Sequence, residues 1–484
     1  MYYYIYTDTL ENGGFAVIKR FVVLCLLFIM TFSLFACNGE ISVAEDTTLA
    51  AESTTKSDAD TPNTDTDEKN VIEIGETYDP ITFPGVRKLS DYDGMDGTIS
   101  HLTWDMIEEF PIKTSDMTIA QRRQLCLDFY KFSKTAIWVA SDGFSYSKKA
   151  GTTPDTLNAG TVYGGFPYVS YGSGNVYRLL DYMDADSGII DMKVAVDIED
   201  TESDTSIMSK TMKYFGNQCS FSAFWGWGRV VNSAQYTITE FMTVANGFIR
   251  VGTYTYDDSI TSFSSGTTTK KIVNTNGEQV MYESYAKMQM SDGLVRYTTA
   301  GHTMMCSAEP VVVRNADGTI DGTKSYLKIC DQTSGSWKTG SRENGLSYIY
   351  KSGVDTKKTF ASLFEDYYIP FTFEEFLYED TVEETEYAYS HSGETVSVNE
   401  LNLSSVSANY AISDIYAILR DASGELVGIV PSRAAFTSTY KLDFSLCADI
   451  FEWEKYENKN YTVEIVAQLS TGERPLVYRG TLAS

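Results

Sequence analysis

Cys219 sits in Asn217-Gln218-Cys219-Ser220, a polar turn that leads into Phe221-Ser-Ala-Phe-Trp-Gly-Trp227. In that downstream segment Ala223, Trp227 and Val230 share one face at helical spacing. A thiol at the start of a helix meets the positive end of the dipole and unbonded N–H groups, which favour the thiolate. The same N–H groups can hold an oxyanion. The plain alternative is a buried thiol that only packs. A cysteine nucleophile needs a base, and the chain has three histidines. His302 follows Ser291-Asp-Gly-Leu-Val-Arg-Tyr297 and opens Gly301-His302-Thr-Met-Met-Cys306, so a turn, a strand, a glycine and a second strand succeed one another. On that second strand His302, Met304 and Cys306 share a face. His101 and His391 lack such a setting and read as surface residues. The orienting third group is expected from the next strand, Ser325 to Gln332, which ends in Asp331 and Gln332. Either could hold the imidazole tautomer. No Cys-x-x-Cys or His-x-x-x-His spacing occurs, so neither a zinc site nor any other metal or cofactor is expected.

The elements that position these groups are partly legible. Thr118 to Trp138 reads as the clearest long helix, with Ile119, Leu125, Phe129, Phe132 and Ile137 on one face and Ser115 or Thr118 as cap. Cys126 lies within it as a packing thiol. Gly226 and Gly228 each weaken a helix by about 1 kcal/mol, so close packing is expected around them. The stretch Tyr163-Gly164-Gly165 reads either as a hairpin or as a cleft wall in which Tyr163 or Tyr168 touches substrate. From Glu383 the pattern changes to short alternating strands: Tyr410 to Leu419, Tyr440 to Leu446, Tyr461 to Leu469 and Leu476 to Leu482, with turns at Asp421–Gly424 and Ser470–Gly472. About 100 residues at this spacing suggest an immunoglobulin-like sandwich.

The order of an Asn-Gln-Cys-Ser turn opening a helix, Ser-Asp-Gly-Leu-Val-Arg before a strand, Gly-His on the next strand and a polar residue on a third resembles the NlpC-type branch of the papain-like cysteine peptidases. Members cleave cell-wall peptides, commonly next to D-amino acids. Their usual Asp-Cys-Ser-Gly is Gln218-Cys219-Ser220-Phe221 here, and their Gly-Asp-Leu-Val is Asp292-Gly293-Leu294-Val295. Gly160 to Tyr168 is similar to the family's Tyr- and Gly-rich segment before the nucleophile. The resemblance covers about residues 155–335. It implies Cys219 and His302 as catalytic residues with Asp331 or Gln332, and Tyr163, Gly164, Gly165, Tyr168, Gln218 and Ser220 as substrate contacts.

Phe21 to Phe35 is an apolar run behind Lys19-Arg20 and ahead of Leu34-Phe-Ala-Cys37, which looks like a lipobox with Cys37 as the lipidated first mature residue. Asp8 and Glu11 make a poor n-region, so Val17 is a candidate start. Asn38 to Asn70 is rich in Thr, Ser, Asp and Glu without an aromatic and reads as a flexible tether. A net charge of −28 would repel phosphate backbones, which excludes nucleic acid. With 34 Tyr, 25 Phe and 10 Pro, the composition leans toward strands. The remaining cysteines show no paired framework and are expected as free thiols.

The expectation is an α+β chain: signal peptide 1–36, lipidated tether 37–77, papain-like domain 78–382 with a central antiparallel sheet and N-terminal helical decoration, and immunoglobulin-like sandwich 383–484. It would be a monomeric surface lipoprotein, held to the membrane through Cys37, cutting peptidoglycan stem peptides. The rival is an inactive papain-like scaffold that binds wall glycan or peptide through its aromatics.

Overall fold

Thr118 starts the first long helix with a reciprocal cap: its hydroxyl accepts from the Gln121 N–H (3.3 Å), and the Gln121 side chain accepts from the Thr118 N–H (2.9 Å). Such a cap is worth about 1 kcal/mol. The helix, α1 (Ile119–Thr135), ends three residues before the sequence pattern suggests. Ala136 leaves the helical region and Ile137–Ala140 becomes a strand paired with Val162–Gly164, because Trp138 buries its ring on Tyr163 (4.9 Å between centroids). Tertiary burial overrides a segment that has no Gly or Pro to stop it. α1 is also no decoration: Leu125, Cys126, Leu127 and Tyr130 belong to the main core beside Trp225, Trp227 and Met305.

The computed structural model describes residues 72–80, 101–146, 155–191, 215–232, 238–341, 347–390, 395–397, 401, 403–432, 437–442 and 461–482, all within one unit, Asn70–Ser484. Cys37, the signal segment, the stretch Asn38 to Asn70, His391 and Cys447 lie outside them, whereas residues 72–77, expected as the end of the tether, pair with Pro475 and Leu476. The architecture is mixed α+β with several sheets. The second site-bearing helix, α2 (Cys219–Trp227), is buried along its whole length and not on one face only. Its indole N–H groups are satisfied from outside: Trp225 donates to the Ser173 carbonyl (3.2 Å) and Trp227 to that of Ser291 (2.7 Å). A Cβ on Gly226 would stand 2.7 Å from the Tyr130 Cβ and 3.0 Å from the Met305 Cε, so the glycine lets α1 and α2 cross closely over the sheet.

That sheet is six-stranded and wholly antiparallel. It contains β1 (Gly293–Tyr297), β2 (Gly301–Cys306), β3 (Tyr326–Gln332), β4 (Ser352–Thr359) and β5 (Ile369–Thr372) in the order β4-β3-β2-β1-β5, with Ile249–Arg250 on the β5 edge. Register pairs Arg296 with His302 and Met304 with Asp331. A five-stranded sheet, which includes Ile137–Ala140 and Val162–Gly164, holds a second core around Trp138, Tyr163 and Tyr177.

The C-terminal strands form a seven-stranded sheet. β6 (Ser405–Arg420) pairs with β7 (Tyr461–Leu469) and with three other strands, changing partner where its register shifts. β7 pairs in turn with β8 (Leu476–Leu482). Turns occur at Asp421–Gly424 and around Gly472, where the glycines take positive φ (79° and 99°). This sheet is joined to the rest by a buried ionic cluster. Arg178, on the helix Val176–Asp181, pairs with Asp414 (2.8 Å) and donates to the Ser413 carbonyl, Asn175 also donates to Asp414, and Tyr416 donates to Asp181.

Candidate active site

Cys219 is the first residue of α2, and Gln218 before it is extended (φ −111°, ψ 173°). The turn is held by a facing loop at backbone contact. A Cβ on Gly172 would lie 2.5 Å from the Gly216 carbonyl oxygen, and one on Gly174 2.1 Å from that of Phe215, so only glycine fits at either place. The Gln218 amide closes the turn, accepting from the Tyr171 N–H (2.8 Å) and donating to the Ser220 hydroxyl (3.2 Å). The backbone N–H groups of Ser220 and Thr303 and the His302 imidazole all favour the charged form of the Cys219 sulfur. Among the described residues the Cys219 N–H has no acceptor, as expected in the first turn of a helix.

His302 is the second residue of β2, and its Nε2 lies 3.1 Å from Asp331 Oδ2. That leaves Nδ1 for the sulfur. Burial works against both charges of the Cys219–His302 pair, but the contact outweighs it: the thiol is held below its ordinary value and the imidazole is raised to about 9. Asp331, whose burial is likewise outweighed by His302, is held below the usual carboxylate range. Its other oxygen accepts from the Gly353 N–H (3.2 Å). Each of the two groups therefore favours the charged form of the other. The other described free thiols behave oppositely: burial pushes Cys126 and Cys330 up, and Cys306 up to about 12.

Of the two residues open as third member, the structure brings Asp331 to His302 and turns Gln332 away. Gln332 is fully buried, donates to the Phe166 carbonyl (2.9 Å) and accepts from Lys134 (3.2 Å). Adjacent strand residues point to opposite faces, so only one of them could reach the ring.

The Tyr163-Gly164-Gly165 segment is not a cleft wall. Tyr163 is 1% exposed, and its hydroxyl accepts from the Asn158 N–H. Gly164 lies under the Tyr348 ring, and Gly165 takes φ +67° against the Lys134 carbonyl. These residues carry the five-stranded sheet past α1. Ser220 is likewise buried and bonded to Gln218, and Gln218 locks the loop onto the turn, so neither presents a free group to a substrate. Tyr168 does reach the site. It is half-buried, and its hydroxyl is pushed up to about 12 by burial and by the Cys219 charge. His101 is not a plain surface residue: it is half-buried on Gly188, with Nε2 2.8 Å from the Ala185 carbonyl.

Four further residues line this region without having been singled out in the sequence. Lys134 is 1% exposed, stands 5.0 Å from the Tyr130 ring centroid and has no carboxylate at ion-pair distance among the described residues; burial lowers it to about 7. Its place four residues after Tyr130 and eight after Cys126, on one helix face, was the available signal. Tyr368 stands edge-on to His302, with centroids 6.3 Å apart. Arg296 faces the same tyrosine ring (5.3 Å). Tyr171 holds φ +63° while 64% exposed, a conformation rare for a bulky residue, at the lip of the loop that covers the Cys219 turn. A separate groove of about 480 Å³ beside Phe110, Met117 and Leu125 lies toward the other end of α1 from Lys134. Searches with the whole chain find no matching family model, no matching curated protein and no matching solved structure.

Proposed function

We propose that the chain is a cysteine peptidase or amidase of NlpC type, lipid-anchored outside the membrane through Cys37, that cuts peptide bonds in peptidoglycan stem peptides. The observation that carries this reading is a helix-terminal thiol whose charge is favoured by an imidazole that a carboxylate holds at 3.1 Å. A papain-like reading of the fold is supported by α2 lying against an antiparallel sheet that bears His302 and Asp331. An immunoglobulin-like reading of the C-terminal strands is supported by the antiparallel pairing of β6, β7 and β8 around a core that includes Val406, Ile415, Val463 and Ile465.

In this mechanism the Cys219 thiolate attacks the peptide carbonyl carbon, forming the C–S bond. The oxyanion is received by the Cys219 N–H. The His302 imidazolium gives its Nδ1 proton to the leaving nitrogen as the C–N bond breaks, and the amine departs. The neutral imidazole then takes a proton from water, whose oxygen attacks the thioester, and the acid and the thiolate–imidazolium pair are regenerated. Asp331 keeps the ring oriented throughout.

A second reading, a wall-binding module without turnover, is favoured by the burial of Cys219, which is 5% exposed. Mass spectrometry of wall fragments incubated with the protein separates the two. Fragments shortened by the wild type and left intact by Cys219→Ala support the peptidase, whereas fragments retained but never shortened support the module. Cleavage surviving Cys219→Ala would end the peptidase proposal.

A further inference from the structure

Arg296 is the exception among the described arginines. Arg123, Arg178, Arg250, Arg314, Arg420, Arg474 and Arg479 each pair with a carboxylate, and Arg122 and Arg229 donate to backbone carbonyls. Arg296 makes no hydrogen bond and no ion pair among the described residues; the buried Nε atoms of Arg123 and Arg229 also lack partners, but the terminal nitrogens of those two are bonded. A buried guanidinium nitrogen without an acceptor carries a desolvation cost that native structures usually avoid. The guanidinium of Arg296 faces the Tyr368 ring at 5.3 Å. Asp331 and Asp366 lie within electrostatic reach of that tyrosine, yet neither is at ion-pair distance from the guanidinium.

The position is specific. Arg296 is the direct cross-strand partner of His302 in the β1–β2 pairing, and side chains directly opposed in this way start about 5 Å apart. The Tyr368 ring neighbours both Arg296 (5.3 Å) and His302 (6.3 Å), and its hydroxyl feels the charges of Arg296 and Cys219. An unpaired, half-buried cation thus flanks the imidazole that hands its proton to the leaving amine. In a chain of net charge −28, a cation left without a carboxylate stands out against the general excess of acid.

We propose that Arg296 forms an anion subsite on the leaving-group side of the dyad, and that the preferred substrates are peptides whose leaving residue carries a free carboxylate. The assignment of a leaving side rests on the peptidase reading; the anion subsite itself does not. A guanidinium binds a carboxylate through paired donors, and the neighbouring Tyr368 ring holds the fork in place from its face.

Two measurements test it. The first compares kcat/KM for two peptides that differ only in a free carboxylate or a carboxamide on the leaving residue. Wild type is expected to favour the carboxylate by roughly tenfold or more, chiefly through KM. Arg296→Gln should lose that preference and Arg296→Lys should retain part of it. The second needs no turnover: the ratio of Cys219 alkylation rates by iodoacetate and iodoacetamide, in which the thiolate fraction cancels. This ratio should fall several-fold in Arg296→Gln. Wild type that cuts both peptides equally, together with an unchanged alkylation ratio, overturns the subsite. If no peptide is cut while the ratio still falls, the peptidase reading fails and the anion subsite stands.

Discussion

Two of the buried polar clusters in the molecule are of opposite design. At the joint between the helix Val176–Asp181 and β6, Arg178 is 2% exposed and Asp414 is fully buried, and they are bonded to each other and also to Ser173, Ser413 and Asn175. Around Cys219 the polar groups are under-supplied. Among the described residues Lys134 has a single neutral acceptor, Arg296 has none, and Cys219 and Asp331 share one imidazole. A saturated cluster can only hold two surfaces in register. An unsaturated one keeps capacity for a group that arrives from outside, and it bears the cost of that capacity in stability.

Substitutions should separate the two clusters by readout. The largest effect is expected from Asp331→Ala, which should lower kcat by roughly 10²–10⁴-fold with little change in thermal unfolding, since it removes the group that orients His302. Gln332→Ala, measured beside it, should act on stability and not on the pH profile. At the joint the sign reverses. Arg178→Met should cost about 3–5 kcal/mol in denaturant unfolding, because Asp414 is left as an uncompensated buried charge, while the pH dependence of alkylation stays as in wild type. Equal losses of stability at both sites would erase the distinction drawn here.

The pH dependence sharpens it further. Activity should fall at high pH as His302 deprotonates near 9, and at low pH as the depressed thiol of Cys219 is protonated. Stability should respond little to this pair at any pH below about 9 where the folded thiol is ionised and the unfolded imidazole is neutral. The raised imidazole contributes stability that is lost as pH rises through about 9, and the depressed thiol contributes stability that is lost as pH falls. Within the window the unfolded pair holds its proton on sulfur and the folded pair holds it on nitrogen, so no net proton is exchanged. Iodoacetamide rates against pH check the first statement and calorimetry checks the second. His302→Ala should move the alkylation midpoint upward.

The smallest effect concerns Lys134. Its folded value of about 7 lies below the ordinary 10.5, so the folded protein binds fewer protons than the unfolded chain between these limits, and this group penalises folding more as pH falls. Lys134→Met should therefore gain stability relative to wild type by about 1–2 kcal/mol as pH drops from 9 to 7. A difference that does not vary with pH would mean that the ammonium finds solvent or an anion.

Local patterns were sufficient for the elements that depend on neighbours in the chain. Thr118 and Gln121 announce the start of α1, and Gly301 and the alternation after it announce β2. The polar turn before Phe221 places Cys219 at a helix start, and β7 and β8 run over the residues their alternation marks. With those elements the order Cys219, His302 and a polar residue on a third strand is already readable. What needed the tertiary structure were the choices between chemically equal candidates. Asp331 and Gln332 are adjacent and differ only in which side of β3 faces His302. Tyr163 and Tyr168 belong to one motif, yet one is core and the other reaches the thiol. Arg296 is an ordinary strand residue until the hairpin register places it opposite His302 and the rest of the described chain brings it no carboxylate. Local spacing decides which face a residue shares with its neighbours. Which faces are covered, and which charges are left unpaired, depends on contacts between residues far apart in the chain, and these exist only once the sheets and helices have packed.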